Sequence, residues 1–321
     1  MRQLTALKVT LILLFQVIAI AALCADDFKI HFIQTENQAD AILVQSPGGK
    51  TMLIDAGTSG DCVIIINYLN TLGITNIDVV YNTHAHGDHI GGMGGATGIF
   101  ANFNVDKFYG LDDKDMFNYT PQYYTNQILP YSLNPAVTFD TLHLGDEILL
   151  DQELEILVLW PATNYTGSDY NNYSSTCLVT YKTNGKRFLF TADALYGEQK
   201  KLITDKTSLI KGLTISNYLK CDVLKYPHHL LQNQNPYFST NFLLVTSPQF
   251  AVAPVATIVK PSQDPDWRSN QWDGLQQVYN YTWSPPRGLK SFLNVKNGHI
   301  VCTCTPEGLI SFACSSNNLY S

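Results

Sequence analysis

Apolar and polar residues alternate from Phe28 to Ile33, the period of a strand with one buried face. Ala41 to Gln45 and Thr51 to Asp55 flank Ser46-Pro47-Gly48-Gly49, and two short apolar runs around such a turn predict a hairpin. An apolar segment opened by Asp61 runs to Leu72 and stops at Gly73, the signature of a capped helix. Asp78 to Asn82 reads as a short buried strand that runs into a His-rich loop, with a Gly-rich loop behind it at Gly91, Gly92, Gly94 and Gly95. Phe100 to Thr141 is rich in Tyr, Asn and Asp and only weakly periodic, so it reads as loops and a short helix.

Strand patterns resume at Ile148 to Leu150 and Leu154 to Trp160, followed by a polar loop from Pro161 to Ser174. Cys177 to Lys182 and Arg187 to Thr191 predict a second hairpin around Thr183-Asn184-Gly185-Lys186. Later strands are expected at Val223 to Tyr226, Phe250 to Pro254, Leu289 to Val295 and His299 to Cys304. Helices are expected at Tyr196 to Ile203, Pro236 to Leu244 and Gln271 to Tyr279. Two runs of strands, each ending in helices, predict an α/β fold: an αββα four-layer sandwich of two mixed sheets with helices outside. With no internal repeat and no obvious linker, residues 26–321 are expected to form one domain.

Composition sharpens this picture at three points. Hydrophobic residues make up 45% of the 321 and charged residues 15%, enough apolar material for a core and too little charge for disorder. The net charge of −7 argues against a broad nucleic-acid groove, so an anionic substrate would have to be held locally. At the N-terminus, Arg2 and Lys8 precede the nearly unbroken apolar run Val9 to Leu23, and small residues lead to Ala25 before Asp26 and Asp27. That order predicts a signal peptide over residues 1–25 and a secreted or extracytoplasmic protein with no membrane span after cleavage. An uncleaved N-terminal anchor is the alternative.

Six cysteines follow Ala25, at 62, 177, 221, 302, 304 and 314, with no CxxC pair; metal knuckles are not expected, and one or two disulfides are, from the C-terminal trio first. Sequons stand at Asn118, Asn164, Asn172 and Asn280, about the number chance provides in this composition.

The candidate chemistry lies in Thr83-His84-Ala85-His86-Gly87-Asp88-His89. Four metal-capable side chains fall within six residues, directly after a strand, and imidazole with carboxylate suits zinc and similar first-row ions. The spacing lets His84 and His86 aim at one ion while Asp88 and His89 face a second, an arrangement that stabilises both sides of a displacement.

This HxHxDH motif resembles the signature of the metallo-β-lactamase superfamily. Leu53-Ile54-Asp55-Ala56-Gly57 resembles its early DxG turn, and Phe188 to Ala194 its strand ending in Gly-Asp, with Ala192 in the glycine's place. Lys225-Tyr226-Pro227-His228-His229 resembles the KxxHHGS element typical of the branch around the hydrolase domain of the competence protein ComEC. The resemblance covers residues 28 to 315 and implies the metallo-β-lactamase-type sandwich. It assigns His84 and His86 to the first ion and Asp88, His89 and one of His228 and His229 to the second, with Asp193 bridging. His228 is favoured as ligand and His229 as a substrate contact, either order remaining open. Asp55 is expected to orient a ligand imidazole, Lys225 to contact phosphate, and Asp88 to hold the attacking group and take part in proton transfer.

Three departures qualify the resemblance. Asn171 to Thr176, where many members carry a further His, has none, which leaves the first ion short of protein ligands. HHGS has become His228-His229-Leu230-Leu231, and Pro261 to Trp267 lacks the His of a Gly-His-Pro loop. The cofactor implied is two Zn2+ of unequal affinity, with Mn2+ as the alternative. His31, His143 and His299 are read as ordinary strand or loop residues, and the aromatics between Phe103 and Tyr131 as packing or a groove lining.

The expected function is a secreted metal-dependent hydrolase acting on a phosphodiester, in nucleic acid or a phosphorylated polymer, through a hydroxide activated by metal. Hydrolysis of a lactam, lactone or thioester is one alternative; a non-catalytic binding protein on the same fold is another. The expected partner is an anionic substrate, small or polymeric.

Overall fold

The computed structural model describes residues 26–112, 119–161, 169–230, 240–256 and 290–316. The expected signal peptide, the helix at Gln271 to Tyr279, the Pro261 to Trp267 stretch and the sequons at Asn118, Asn164 and Asn280 lie outside these residues. Among them the chain forms strands β1 Phe28–Phe32, β2 Ile42–Gln45, β3 Thr51–Ile54, β4 Asn76–Tyr81, β5 Asn104–Gly110 and β6 Thr138–Thr141 in its first half. The second half adds β7 Glu147–Ile148, β8 Leu154–Val158, β9 Cys177–Tyr181, β10 Lys186–Phe190, β11 Leu209–Ile210, β12 Leu213–Thr214, β13 Val223–Lys225, β14 Phe250–Ala253 and β15 Lys290–Leu293. The closing pair is β16 Ile300–Cys304 and β17 Ile310–Cys314.

Two mixed sheets carry the fold, ordered β17-β16-β1-β2-β3-β4-β5-β6 and β15-β14-β13-β10-β9-β8-β7. Three apolar layers define the sandwich. Phe28, Ile30, Phe32, Val44, Met52, Ile54 and Tyr81 of the first sheet pack against Ile156, Val179, Tyr181, Phe188 and Val252 of the second. The opposite face of the first sheet, with Leu43, Leu53 and Val80, is covered by Ile65 and Leu69 of the helix Cys62–Thr71. The outer face of the second, with Leu189, Leu224 and Ala251, is covered by Leu202 of the helix Tyr196–Thr204 and by Phe242 and Leu243 of the helix Thr240–Thr246. This is the αββα order expected from the sequence. Strands buried on both faces carry continuous apolar runs, as in β14, where all four residues are buried.

β3 through β6 run parallel, as do β10, β13, β14 and β15. Their carboxyl ends gather on one edge of the sandwich, the place where open α/β sheets hold ligands. Asp55 follows β3, His84 follows β4, Asp193 follows β10 and the two histidines follow β13.

The stretch Phe100 to Thr141 departs from expectation, since it contributes β5 and β6. Asn104, Asp106 and Lys107 give β5 a loop-like composition, but pairing with β4, Val80 opposite Phe108, buries its apolar face. β17 and the β11–β12 hairpin were also invisible; β17 is an edge strand with no fully buried residue.

Asp61 precedes its helix as expected but its side chain does not cap it. One carboxylate oxygen accepts from the amides of Glu36 and Asn37, and the other from the amide and hydroxyl of Thr58.

The expected disulfides are absent: all six cysteines are free. The register of the last hairpin sets Cys302 opposite Phe312, Cys304 opposite Ile310 and Cys314 opposite Ile300, so no two of the trio face each other.

Candidate metal centre

The site is built by loops stitched together through their backbones. Ala56 N donates to His89 O at 2.8 Å, Gly57 N to Asp40 O at 2.8 Å, Asp40 N to Asp88 O at 3.2 Å and Gly92 N to Gly57 O at 3.0 Å. A Cβ on Gly92 would stand 2.0 Å from Ala56 O, so the close approach of these loops requires glycine there. His86 opens the short helix Gly87–Ile90, which carries Asp88 and His89.

Asp55 fixes this loop from beneath. Its carboxylate accepts from Thr83 N at 2.8 Å, Thr83 Oγ1 at 2.6 Å, Asn82 Nδ2 at 3.1 Å and His89 Nδ1 at 2.7 Å. Nδ1–H is thereby committed to Asp55, and Nε2 of His89 is left to face Asp193, with Nε2 to Oδ2 at 3.1 Å.

Asp193 stands at the centre. It is 1% exposed and five cationic or imidazole groups converge on it. His84 Nε2 and His228 Nε2 approach Oδ2 at 4.0 and 3.9 Å, while His229 Nε2 and Lys225 Nζ approach Oδ1 at 3.5 and 3.7 Å. Ala192, just before it, has φ 43°, a left-handed conformation that its glycine-like position in the turn demands.

Three successive residues on the facing loop, His228, His229 and Leu230, also have positive φ, at 51°, 50° and 59°. Left-handed backbone costs a non-glycine residue roughly 1–2 kcal/mol, and such strain collects where side chains must be aimed. His228 N donates to Ala192 O at 3.0 Å and His229 Nδ1 to Pro254 O at 2.9 Å, which hold the strained turn in place.

Donor atoms of Asp88, His89, Asp193 and His229 all lie within 4.8 Å of one another. Beside them, His84 Nε2 and His86 Nδ1 are 3.1 Å apart. The chemistry of this set fits a divalent cation. His89 Nε2 and Asp193 Oδ1 are fully buried and, despite the close charged neighbours, make no well-aligned hydrogen bond, an arrangement that a shared metal ion would resolve.

The acids of the site draw positive charge to it, which a proton or a metal cation can supply. Burial opposes charge on His89 and His229, but Asp193, with Asp55 beside the one and Asp40 beside the other, outweighs it and raises both imidazoles above the ordinary value. Burial opposes charge on Asp193 as well, yet the surrounding histidines hold its carboxyl well below the usual range. His84 and His228, where burial dominates, are pushed down and stay neutral, the form that binds metal.

The geometry bears on two expectations. The imidazole that joins Asp88, His89 and Asp193 is that of His229, at 3.7 Å from Asp88 Oδ2, while His228 sits on the other side of Asp193, 3.5 Å from Asn171 Nδ2. Lys225 is buried away from the mouth of the site: its side chain is 1% exposed, and Nζ donates to Ala192 O at 2.7 Å and pairs with Asp40.

Asp40 is a residue that sequence reasoning missed. It is a buried acid ahead of β2, with nothing in the local pattern to mark it, and it supports both Lys225 and His229, its Oδ1 standing 3.4 Å from His229 Nδ1. Glu198, fully buried on the helix Tyr196–Thr204, was missed too; burial and then Asp193 push its carboxyl well above the usual value.

The remaining histidines have structural partners. His31 bonds Tyr68 and Gln45, His143 lies against Asp146, and His299 accepts from Gln34 N and stacks on Tyr68. Phe103 and Phe108 are core residues, and the Tyr123 and Tyr124 hydroxyls donate to Ile90 O and Val137 O, so these aromatics serve packing.

A two-sheet sandwich with a His/Asp cluster at the carboxyl ends of its parallel strands defines a metal-binding α/β protein. The sequence profile of the metallo-beta-lactamase superfamily matches residues 35–234, more than half of the chain, and the protein belongs to that superfamily. A probable metallo-hydrolase of Methanocaldococcus jannaschii is 28% identical over 116 residues, which cover 34% of this chain and 52% of the relative. The chain thus spans about half the length of the curated relative it matches. Among solved structures, unliganded yeast PDE1 is similar at 11% identity and a TM-score of 0.48, covering 83% of this chain and 97% of that one. A class B3 di-zinc metallo-β-lactamase from an Alaskan soil metagenome is similar at 16% identity and a TM-score of 0.40, covering 78% and 90%.

Proposed function

We propose that the protein is a metal-dependent hydrolase of phosphodiesters, acting outside the cytoplasm on a local or small ester of nucleic acid or a phosphorylated polymer. The observation that carries this reading is Asp193, whose two carboxylate oxygens stand between two sets of imidazoles. Divalent ions bound there, zinc first among candidates, would supply an activated water and charge stabilisation for an in-line displacement. The resemblance of Lys225 to His229 to the element of the ComEC-type branch favours phosphorus over carbonyl carbon as the centre attacked. The apolar segment before Asp26 supports export.

The chain's own residues divide the work. His84, His89, Asp193 and His229 are buried and hold the site. His86 and Asp88, each with about a third of the side chain exposed, form its mouth, with Asp169 and Tyr170 beside His86. Substrate enters on this side. Asp88 orients the attacking water and accepts its proton. Asp55 and Asp40 keep the imidazoles of His89 and His229 aimed inward.

The test is turnover of bis(4-nitrophenyl) phosphate by zinc- or manganese-loaded protein, beside a chromogenic cephalosporin, an acyl lactone and a thioester. Phosphodiester cleavage that Asp88→Asn abolishes is the expected result. Cleavage of one of the carbonyl substrates alone would replace this reading, and metal binding without turnover of any would leave a binding protein on the same fold.

A further inference from the structure

We propose that Asn171 is a substrate-binding residue whose side-chain oxygen accepts a hydrogen bond from a hydroxyl group of the substrate. The esters cleaved then carry a hydroxyl on the carbon next to the phosphorylated one, as ribose and glycerol do. The proposal rests on the phosphodiester reading above and names the class of diester.

Asn171 belongs to the 3-10 turn Tyr170–Tyr173, a segment that touches both the mouth and the centre of the site. At the mouth, Tyr170 stands against His86 with ring centroids 5.4 Å apart. At the centre, Ser174 Oγ accepts from Asp193 N at 3.2 Å. The Asn171 side chain turns Nδ2 to His228 Nε2 at 3.5 Å, and that same nitrogen stands 3.9 Å from Asp193 Oδ2. The carboxamide therefore lies beside the residues that hold the site.

The turn itself makes no use of this side chain. Asp169 caps it, accepting from Asn171 N at 2.9 Å, and the Asn171 carbonyl accepts from Ser174 N at 3.1 Å. Oδ1 is left over: it is buried, and no donor among the described residues reaches it. At 5% exposure the residue has little contact with bulk water, so an unsatisfied acceptor is costly here.

The missing partner has to be a donor. The non-bridging oxygens of a phosphodiester are acceptors at neutral pH, so the scissile group cannot supply it. A hydroxyl on the neighbouring carbon of the esterified alcohol is the donor that such a substrate brings nearest to the reacting phosphorus. In ribonucleic acid this is the 2′-hydroxyl, the group that lets a protein tell RNA from DNA. In a glycerol diester it is the central hydroxyl.

The experiment compares kcat/KM on two matched pairs, with metal content measured on the same samples. One pair is 2,3-dihydroxypropyl 4-nitrophenyl phosphate against propyl 4-nitrophenyl phosphate; the other is uridylyl-uridine against its 2′-deoxy analogue. The proteins are wild type, N171A and N171D, each loaded with zinc or manganese. Wild type should prefer the hydroxylated member of at least one pair by roughly 5–150-fold, the cost of leaving a buried acceptor unsatisfied. Which pair shows the preference tells glycerol from ribose. N171A should bring that ratio close to one. N171D keeps an acceptor in place and should keep the preference, at a lower rate because its charge repels the phosphate. A merely structural role would lower both members of a pair together and leave the ratio unmoved. Equal turnover of both members of each pair by wild type would overturn the proposal and leave water as the partner of Oδ1. A preference that N171A retains, or that N171D loses, would overturn it as well, and so would loss of bound metal from N171A, which would make the amide a metal ligand. Wild-type protein that cleaves no diester of either pair would overturn the phosphodiester reading itself, a distinguishable failure. Should N171A not fold, N171L, which fills the same space without an acceptor, is read in its place.

Discussion

Asp55 Oδ2 accepts a hydrogen bond from His89 Nδ1 at 2.7 Å, a side-chain contact that ties the end of β3 to the short helix after β4. Both groups are fully buried. Asp55→Asn keeps the acceptor toward Thr83 N and tolerates the φ of 57° at this position. It removes the charge that orients and polarises His89. Zinc affinity should fall by about 10–100-fold with the fold retained, measured by chelator competition and circular dichroism. Unchanged affinity would show that the contact does not support the metal.

Asp88 sits at the mouth of the site on a short helix, with a third of its side chain exposed. Asp88→Asn should leave the melting temperature of the metal-free protein nearly unchanged and lower kcat by at least ~10²-fold, the usual loss for an acid–base group. His143→Ala, an exposed change beside Asp146, should leave turnover intact. Near-full activity in Asp88→Asn with metal still bound would move the active centre elsewhere.

Lys225 and Asp40 form a pair buried to 1% and 2%. Removing one partner of such a pair strands the other charge, so Lys225→Met should cost about 3–5 kcal/mol. Lys225→Met/Asp40→Leu should recover part of that loss. Chemical denaturation measures both. If Lys225→Met kept full stability but raised KM for anionic esters, the ammonium would be a substrate contact after all.

His31 is held neutral between Gln45 and Tyr68, and burial lowers its pKa from 6.5 to about 4. The unfolded chain takes up this proton near pH 6.5 and the folded protein only near pH 4. The stabilisation is therefore complete above about pH 6.5, declines as pH falls from there to about 4, and levels off below. The loss across that window is about 3 kcal/mol. His31→Gln should flatten this part of the stability profile relative to wild type; identical profiles would remove His31 as the cause.

The six free cysteines bear on export as well. Protein recovered from outside the cytoplasm should begin near Asp26, by N-terminal sequencing, and should titrate six thiols when denatured without reductant. Two or four missing thiols would mean that the last hairpin rearranges to form a bridge, and a chain recovered intact from Met1 in the cytosol would end the export proposal.

The sequence by itself determined the layered fold and half of the site. Strands with a clear apolar pattern are readable one at a time, β1 by its alternation and β3 and β10 by apolar runs beside a turn. His84, His86, Asp88 and His89 are equally legible, since one loop places them within six residues. β5 escaped because three of its seven residues are polar and only its parallel partner explains their position. What the tertiary structure alone decided is the sorting of groups that meet from distant segments. Lys225 looks like a free cation in sequence and is neutralised by Asp40, 185 positions earlier, only once β2 and β13 bring their loops to the same edge. The order of His228 and His229 around Asp193 is likewise set by backbone angles that no spacing encodes, because a left-handed turn is a consequence of the hydrogen bonds to Ala192 and Pro254 that close around it.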